Sequence, residues 1–555
     1  MSNKELSTLL LNQIDKEPDH WEKQYPPRNI SNEAAVTRLG PSPTGFIHLG
    51  NLYTAFMNEK LARQTDGIFY LRIEDTDDKR EVEGAAESLI KTLDFFGIDF
   101  DEGVTLDGEE GDYGPYYQSE RKEIYQTYVK ELISQGKAYP CFLTEDQINA
   151  IRYEQEQNKL TPGIYGKWAK FRDIEYDEAE KRINDGEEYV IRYKSQGNPE
   201  KYFKIQDGIR GEVSMPENEM DVVLLKSSGM PTYHLAHVVD DHLMRTTHVF
   251  RGEEWLSSLP IHVALSEALG FDLPIYCHTT VLMKMDGETK RKLSKRKDPE
   301  LSLEYYKSEG YHPKAISEYL MTIINSNFEE WRMENPDEGF DKFIMSTEKM
   351  GHSGILFDLD KLMDVSKEVL VKIPADELAD FVIDWTREYE PEKADIITGK
   401  ANPIYGKDYL IRTIDIGRSG KKPRKDLAYG KQIVEFISYI YDEFFRIEDD
   451  IPENVIEADV PVLLKAYLET YDQDDQRDVW FDKIRTITDK NGYAVKPKDF
   501  KKNPDVYKGH VGDVSGVIRL ALVGRSNSPD IWEIQQILGK DRVVQRIEAF
   551  IGKYI

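Results

Sequence analysis

The sequence predicts an α/β protein: a doubly wound parallel sheet, an inserted α+β domain and an all-α region behind them. Three observations carry this. Residues 36 to 64 read as strand, tight loop and helix. Between residues 116 and 230 the pattern changes to mixed helix and strand before strands return, and beyond about residue 300 the apolar spacing is helical.

Residues 1 to 33 form an arm, with a short helix over the first dozen residues and an extended exit at Pro26 and Pro27; its role is not legible. Val36 and Leu39 then flank Arg38 in a strand-like run. A Pro/Gly-rich turn follows, and Leu49, Leu52, Tyr53 and Phe56 recur at helical spacing to about residue 64. A helix N-terminus presents unpaired N–H groups and partial positive charge, a natural seat for phosphate. Gly45 and Gly50 let backbone approach a ligand, Pro41 and Pro43 keep Gly40 and Ser42 extended, and His48 is placed to donate to a phosphate oxygen.

IFYLRIEDTD reads as an apolar strand running into acids, so Glu74, Asp75 and Asp77 fall at its C-terminal end, where ligands collect in such sheets. Glu74 is expected to face the site, and Asp77 to cap a helix over residues 81 to 96. The stretch from about residue 114 to 230, opening on the helical QSERKEIYQTYVKELISQG, is too long for a loop and reads as an insertion. Its KWAKFR and YVIRYK segments interleave aromatic and basic residues, which suits RNA contact and amphipathic sheet edges alike.

Next, His234, His237 and Asp241 stand at i, i+3 and i+7, with His242 adjacent. One helical face would present three of them, a spacing compatible with a metal, but no recognised ligand motif accompanies it. The alternative is a small-molecule pocket lined by Tyr233 and His237, with Arg251 entering from the strand HVFRG. A guanidinium fork suits a carboxylate substrate, whereas its plain alternative is a salt bridge to Glu253 or Glu254. After a strand-like PIYCHTTVLM, the basic residues gathered in KRKLSKRK suit a loop that closes over a polyphosphate, with Ser294 adding a hydroxyl. Helices are expected from there on. KPKDFKKNP reads as a linker, and a final helical unit spans about residues 513 to 555 with Gly524 and Gly539 as stops.

A chain of 555 residues exceeds what one core supports, so several domains are expected. Its 39% hydrophobic and 32% charged residues are ordinary for a globular protein. A net charge of −29 argues against a histone-like binder of nucleic acid, though not against basic islands at 292 to 297, 421 to 425 and 496 to 502, the last two reading as solvated loops. Two distant cysteines, Cys141 and Cys277, provide neither a disulfide framework nor paired zinc spacing and suit a reducing, cytoplasmic setting. The acidic N-terminal run does not resemble a signal peptide, and no segment approaches the ~20 apolar residues that cross a bilayer.

Taken together, RLGPSPTGFIHLGN resembles the signature of bacterial-type glutamyl-tRNA synthetases, in which HLGN replaces the class I tetrapeptide HIGH, and KLSKR resembles KMSKS. LRIEDTD, YYQSERKEIY, DVVLLKSSGMPTYHLA, VVDDHLM and FRGEEWLSSLPIH also match in order, over about residues 34 to 325, with a looser match beyond. The resemblance implies a class I synthetase whose Rossmann-type catalytic halves lie at 34 to 115 and 231 to 290. They are split by an acceptor-binding domain at 116 to 230 and followed by a KMSKS-loop and stem-contact domain at 291 to 375 and a helical anticodon-binding region at 376 to 555. It further implies a monomer that uses L-glutamate, ATP with Mg²⁺, and tRNA(Glu), with tRNA(Gln) open as a second acceptor.

Carried over by position, Arg38, Ser42, Glu74, Tyr233, His237 and Arg251 resemble the glutamate pocket, Arg251 holding the side-chain carboxylate. Pro41, Thr44, Gly45, His48, Gly50, Asn51, Glu254 and Ser294 resemble the ATP site. His48, Lys292 and Lys295 resemble the catalytic groups, Lys292 and Lys295 neutralising the triphosphate.

Four departures stand out. His237 occupies a position usually held by Asn, and Gly40 a position usually held by Ala, a sterically mild exchange. Cys141 is the only cysteine of the insertion, so no zinc is expected. KLSKRKDPELS and NSNFEEWRMENPDEGF are atypical and mark a divergent subfamily. The rivals are a synthetase-like paralogue that binds or modifies tRNA, the shorter glutamyl-queuosine enzymes, which lack a long helical tail, and glutaminyl enzymes, which carry PEPNG where this chain has PSPTG.

Overall fold

All four residues of the strand Val36–Leu39 are buried, including Thr37 and Arg38, so both its faces are covered. In the computed structural model it pairs in parallel with Ile68–Leu71, Val36 opposite Ile68 and Leu39 opposite Leu71, and that strand pairs with Glu102–Thr105. Beyond its other edge the Thr247 N–H donates to the Val36 carbonyl at 2.9 Å and the Val36 N–H to the Thr247 hydroxyl at 2.8 Å. Those two bonds lay His248–Gly252, with its parallel partner Ile275–Thr279, beside the first strand. The parallel strands therefore run in sequence order three, two, one, four, five. The order reverses between the first and the fourth, and their C-terminal ends open a crevice.

Residues 3–43, 47–77, 82–418 and 422–555 are described. They form two units, Met1–Leu303 with Ser317–Asp358, and Glu304–Ile316 with Leu359–Ile555. In the first unit the signature helix spans Leu49–Gln64 with His48 as its N-cap. The Asn51 side chain, three residues in, accepts the His48 N–H at 3.1 Å, so HLGN is itself a capping device. The chain leaves this helix through Gly67, where a Cβ would lie 2.0 Å from the Ala35 carbonyl oxygen; only glycine fits.

The next helix corrects one expectation. It spans Ala85–Phe95 and its N-cap is Gly84, at φ 75°, so Asp77 is not its cap. Asp75 instead accepts from the Ser119 N–H at 2.8 Å and the Ser119 hydroxyl at 2.6 Å, fastening this strand end to the start of the insertion.

The insertion holds an antiparallel sheet of Ala138–Cys141, Val190–Tyr193 and Val223–Leu225, a hairpin of Tyr202–Asp207 and Gly211–Pro216, and the helices Lys122–Ser134, Glu145–Gln157 and Tyr176–Asn184. The basic and aromatic residues of YVIRYK pack: Arg192 donates to the Asp221 carbonyl and Tyr193 to that of Ala264. The N-terminal arm runs beside the helix Lys122–Ser134. Trp21 Nε1 donates to Thr127 at 3.1 Å, Glu22 meets His242 and Arg245 at 2.8 Å each, and Arg28 makes a two-pronged pair with Glu102.

The atypical segment after residue 325 packs on the signature helix. Phe340 stacks on Phe56 at 6.0 Å, Lys60 Nζ donates to the Asp341 carbonyl at 2.8 Å, and the Gln64 amide exchanges hydrogen bonds with the Met345 backbone.

The second unit is helical, its core joining Trp385, Leu410, Tyr441, Tyr467, Trp480 and Ile547. Helices Val511–Val523 and Ile531–Leu538 end at Gly524 and Gly539, as the sequence predicts. The supposed linker KPKDFKKNP is corrected: Pro497–Lys502 is a short helix with proline at its first position. No helix among the described residues is long and apolar enough to cross a membrane.

Candidate active site

The crevice at the strand reversal holds a cavity of about 380 Å³. Arg38 and Gly40 reach it from the end of the first strand, with Pro41 in the turn and His48, Gly50 and Asn51 at the N-terminus of the signature helix. Glu74 enters past the second strand, Tyr233 from the first turn of the helix Tyr233–Leu243, and Arg251 and Glu254 from the fourth strand and the turn behind it. Lys292 closes the ring from the hairpin of Leu282–Asp286 and Thr289–Lys292.

Other expected residues lie elsewhere. Ser42 lines an adjoining cavity of about 160 Å³, which shares Pro41, His48 and Asn51 with the first. Ser294 and Lys295 lie just past the cavity rim, and the Ser294 N–H donates to Asp298 at 2.8 Å. Thr44 and Gly45 lie outside the described residues. His237 is 1% exposed and sits behind the cavity wall, its ring stacked on His262 at 4.4 Å and its Nε2 3.3 Å from the Tyr276 hydroxyl.

The His/Asp cluster that suggested a metal is divided among other partners. His237 and Asp241 face Arg38, Asp241 accepting from it at 3.3 Å. His234 meets His262 at 3.1 Å, and His242 stacks on Phe271 at 3.6 Å while bonding Glu22. Among the described residues no three His, Cys, Asp or Glu side chains converge on a metal-sized site.

Beneath the cavity lies a buried charge network that sequence reading missed. Arg72 is fully buried and donates to Asp241 at 2.8 Å and to Glu74 at 3.0 Å. Asp240, equally buried, accepts from Arg121 at 2.7 Å, Tyr125 at 2.7 Å and Gln118 at 2.8 Å. Burial would raise the Asp241 carboxyl, but Arg38 and Arg72 outweigh it and hold the group below its ordinary range. Glu74 ends on the other side: burial lifts it above the ordinary range although Arg72 and Arg38 pull it down. The readable signal was an arginine inside the apolar run IFYLRIED, a buried charge that requires acidic partners.

At Gly40 a Cβ would stand 2.5 Å from Glu74 Oε1, the far end of a side chain, and would meet no backbone; the exchange with alanine is relieved by a shift of the Glu74 carboxylate, which glycine leaves where it lies. Gly50 serves His48 likewise, since a Cβ would come within 2.9 Å of the imidazole. Burial, with Lys292 and Lys295 assisting, holds His48 below its usual range, so the ring is neutral near pH 7.

Arg251 is 6% exposed and makes no salt bridge to Glu253 or Glu254. Nε donates to His278 Nε2 at 2.9 Å and Nη1 to His262 Nδ1 at 3.0 Å, while the guanidinium lies 4.6 Å from the Tyr276 ring centre. Its buried Nη2 has no hydrogen-bond partner among the described residues. Tyr233, its ring tilted against Trp255 at 4.6 Å, has its phenol pushed up to about 12 by burial, with the Arg251 charge holding it back.

In the basic hairpin Arg291 is already neutralised, by a two-pronged pair with Asp298 at 2.6 and 2.7 Å and a bond to Asp286 at 2.8 Å. The cavity therefore has one cationic end at Lys292 and the capped helix, and a second cationic side chain, Arg251, at its other end.

Residues 34–361 match the family model described as tRNA synthetases class I (E and Q), catalytic domain, and residues 506–551 match an anticodon binding domain. The chain is 57% identical to a glutamate–tRNA ligase of Acetivibrio thermocellus over 552 residues, covering 99% of this chain and 100% of that one. It is 48% identical to one from Clostridium perfringens strain SM101, covering 100% of both. It also resembles the crystal structure of a glutamate tRNA ligase from Elizabethkingia meningosepticum in complex with its amino acid. That match has a TM-score of 0.73 at 26% identity and covers 94% of this chain and 100% of that one.

Proposed function

Since the chain belongs to the class I glutamate–tRNA ligases, we propose that the cavity is where glutamate and ATP meet, glutamate toward Arg251 and the triphosphate toward His48 and Lys292. The reaction is activation of glutamate by ATP and transfer to tRNA. One observation carries the orientation: the buried Nη2 of Arg251 lacks a partner among the described residues. An unsatisfied buried donor costs about 1–3 kcal/mol, which a substrate carboxylate would relieve.

With the side-chain carboxylate on Arg251, Glu74 is the group suited to the substrate ammonium. An α-carboxylate oxygen then attacks the α-phosphorus of ATP, and the bond to pyrophosphate breaks. The capped helix N-terminus and the cations Lys292 and Lys295 offset the charge gathering on the leaving group. Mg²⁺ enters with ATP as part of the substrate and screens its phosphate oxygens. A ribose hydroxyl of the tRNA's terminal adenosine next attacks the acyl carbon, and AMP leaves. Positioning supplies most of the rate, and no protein nucleophile is involved.

In this reading the insertion at 116 to 230 contacts the acceptor end, residues 376 to 555 read the anticodon, and the protein acts as a cytoplasmic monomer. The reading carries no zinc; Cys141, buried at a strand end, is in register with Val190. The test is transfer of labelled glutamate to purified tRNA(Glu) and tRNA(Gln), each alone. We expect charging of tRNA(Glu). Charging of tRNA(Gln) as well would make the enzyme non-discriminating, and charging of neither while ATP binds would overturn the reading in favour of a paralogue that binds tRNA for another purpose.

A further inference from the structure

We propose that Asp207 and His278 are positioning residues for glutamate recognition, aiming the Arg251 guanidinium at the substrate carboxylate from outside the cavity. The proposal rests on the assignment of Arg251 to that carboxylate.

An arginine only donates hydrogen bonds, so the imidazole nitrogens it meets must accept. That fixes two tautomers. His278 accepts at Nε2 and carries its proton on Nδ1, which faces Asp207 Oδ2 at 2.6 Å. His262 accepts at Nδ1 and carries its proton on Nε2, which faces His234 Nδ1 at 3.1 Å.

Asp207 is in turn set by the backbone. It ends the strand Tyr202–Asp207, and its Oδ1 accepts the N–H groups of Ile209 and Arg210, each at 2.9 Å, in the turn that leads to Gly211–Pro216. Asp207 is 1% exposed and His278 is fully buried. Neither lines the cavity, so neither touches substrate there. A hairpin of the insertion thereby holds, through one carboxylate and one imidazole, the side chain that reads the amino acid.

The arrangement also explains selection by charge. Among the described residues no carboxylate bonds Arg251 directly. Its two fixed partners are neutral rings, burial having pushed both His278 and His262 below the ordinary histidine range. The guanidinium charge is left for the ligand, which favours an acid over the corresponding amide.

The test is steady-state charging of tRNA(Glu) with either glutamate or ATP varied. His278→Ala is expected to raise KM for glutamate about 10- to 100-fold and leave KM for ATP within about twofold. His278→Gln, whose side-chain oxygen reaches the Nε2 position, should recover most of the loss. Asp207→Asn keeps its oxygen on the two turn N–H groups and so turns its amide nitrogen toward His278 Nδ1. The ring must then carry its proton on Nε2, donor against donor with Arg251, and KM for glutamate should again rise. Combined with Arg251→Ala, His278→Ala should add nothing further, because both act through one guanidinium.

If Arg251→Ala raises KM for glutamate but His278→Ala and Asp207→Asn do not, or if their effects add, the positioning role is overturned while the pocket assignment stands. If Arg251→Ala itself leaves KM for glutamate unchanged, the assignment fails and the positioning role with it. Should His278→Ala not fold, judged by its melt, the near-isosteric Asp207→Asn decides.

Discussion

At the scale of single residues, Gly40 and Arg72 show how much of the site depends on groups that are not catalytic. Glu74 reaches Arg72 because position 40 has no side chain. Gly40→Ala is therefore expected to fold normally, with a Tm within a few degrees of the parent, but to displace the Glu74 carboxylate. KM for glutamate should rise about tenfold, as for loss of a charged hydrogen bond, while KM for ATP stays put; titrating each substrate in turn checks this. Several of the residues that line the cavity were readable because they stand beside punctuation, a Pro/Gly turn or a basic run. Arg72 leaves only its charge inside an apolar run, and Asp207 and His278 leave no trace. Arg72 lies just past the strand Ile68–Leu71, Asp207 ends the mixed strand Tyr202–Asp207 and His278 lies in Ile275–Thr279, and what they hold is decided largely by residues tens to hundreds of positions away.

The basic hairpin shows the same at the scale of an element. The sequence displays a row of cations, whereas the structure assigns one of them, Arg291, to holding the loop through Asp298, with the Ser294 N–H on the same carboxylate. Asp298→Asn should loosen the loop that presents Lys292, raising KM for ATP about tenfold while KM for glutamate changes less than twofold; a charged pair of this kind contributes about 1.5–3 kcal/mol. The signature helix was legible almost to the residue, because a strand, a turn and helical apolar spacing follow one another within the sequence. The helix after Glu74 was not. Asp77 has the chemistry of a cap, yet Gly84 in a left-handed conformation starts that helix instead, a backbone choice that composition does not announce. Pro497–Lys502 misled in the opposite sense: lysine and proline suggested a linker, but proline at the first position of a helix is a start signal.

Over the whole molecule, buried neutral histidines shape the response to acid. Burial and the Arg251 charge press His234 down to about 4, and burial with Lys314 does the same to His312; burial also holds His237 and His262 well below the ordinary range. Unfolded, each would titrate near 6.5, so between about 4 and 6.5 the unfolded chain binds more protons and stability falls as pH falls. Each such group contributes about 1.4 kcal/mol per pH unit within that window. Glu59, which burial lifts to about 7, acts in the opposite direction, so the informative comparison is between variant and parent. His312→Asn keeps an acceptor for the Lys314 N–H and should lose less Tm between pH 7 and pH 5 than the parent does; melts across that range measure the difference. The division into an α/β part and a helical part was legible from periodicity alone. The path of the N-terminal arm was not, since its partners lie far along the chain.

That arm sets a schedule for synthesis. Trp21 waits for Thr127, 106 residues later, and Glu22 for Arg245, 223 residues later. At about 5–20 residues per second, the first interval lasts about 5 to 20 seconds and the second about 10 to 45 seconds; through the first, Trp21, buried in the finished protein, is on a nascent chain without its native partner. The arm is not fully seated until Arg245 has been added, and over that interval it is open to chaperones on a translating ribosome.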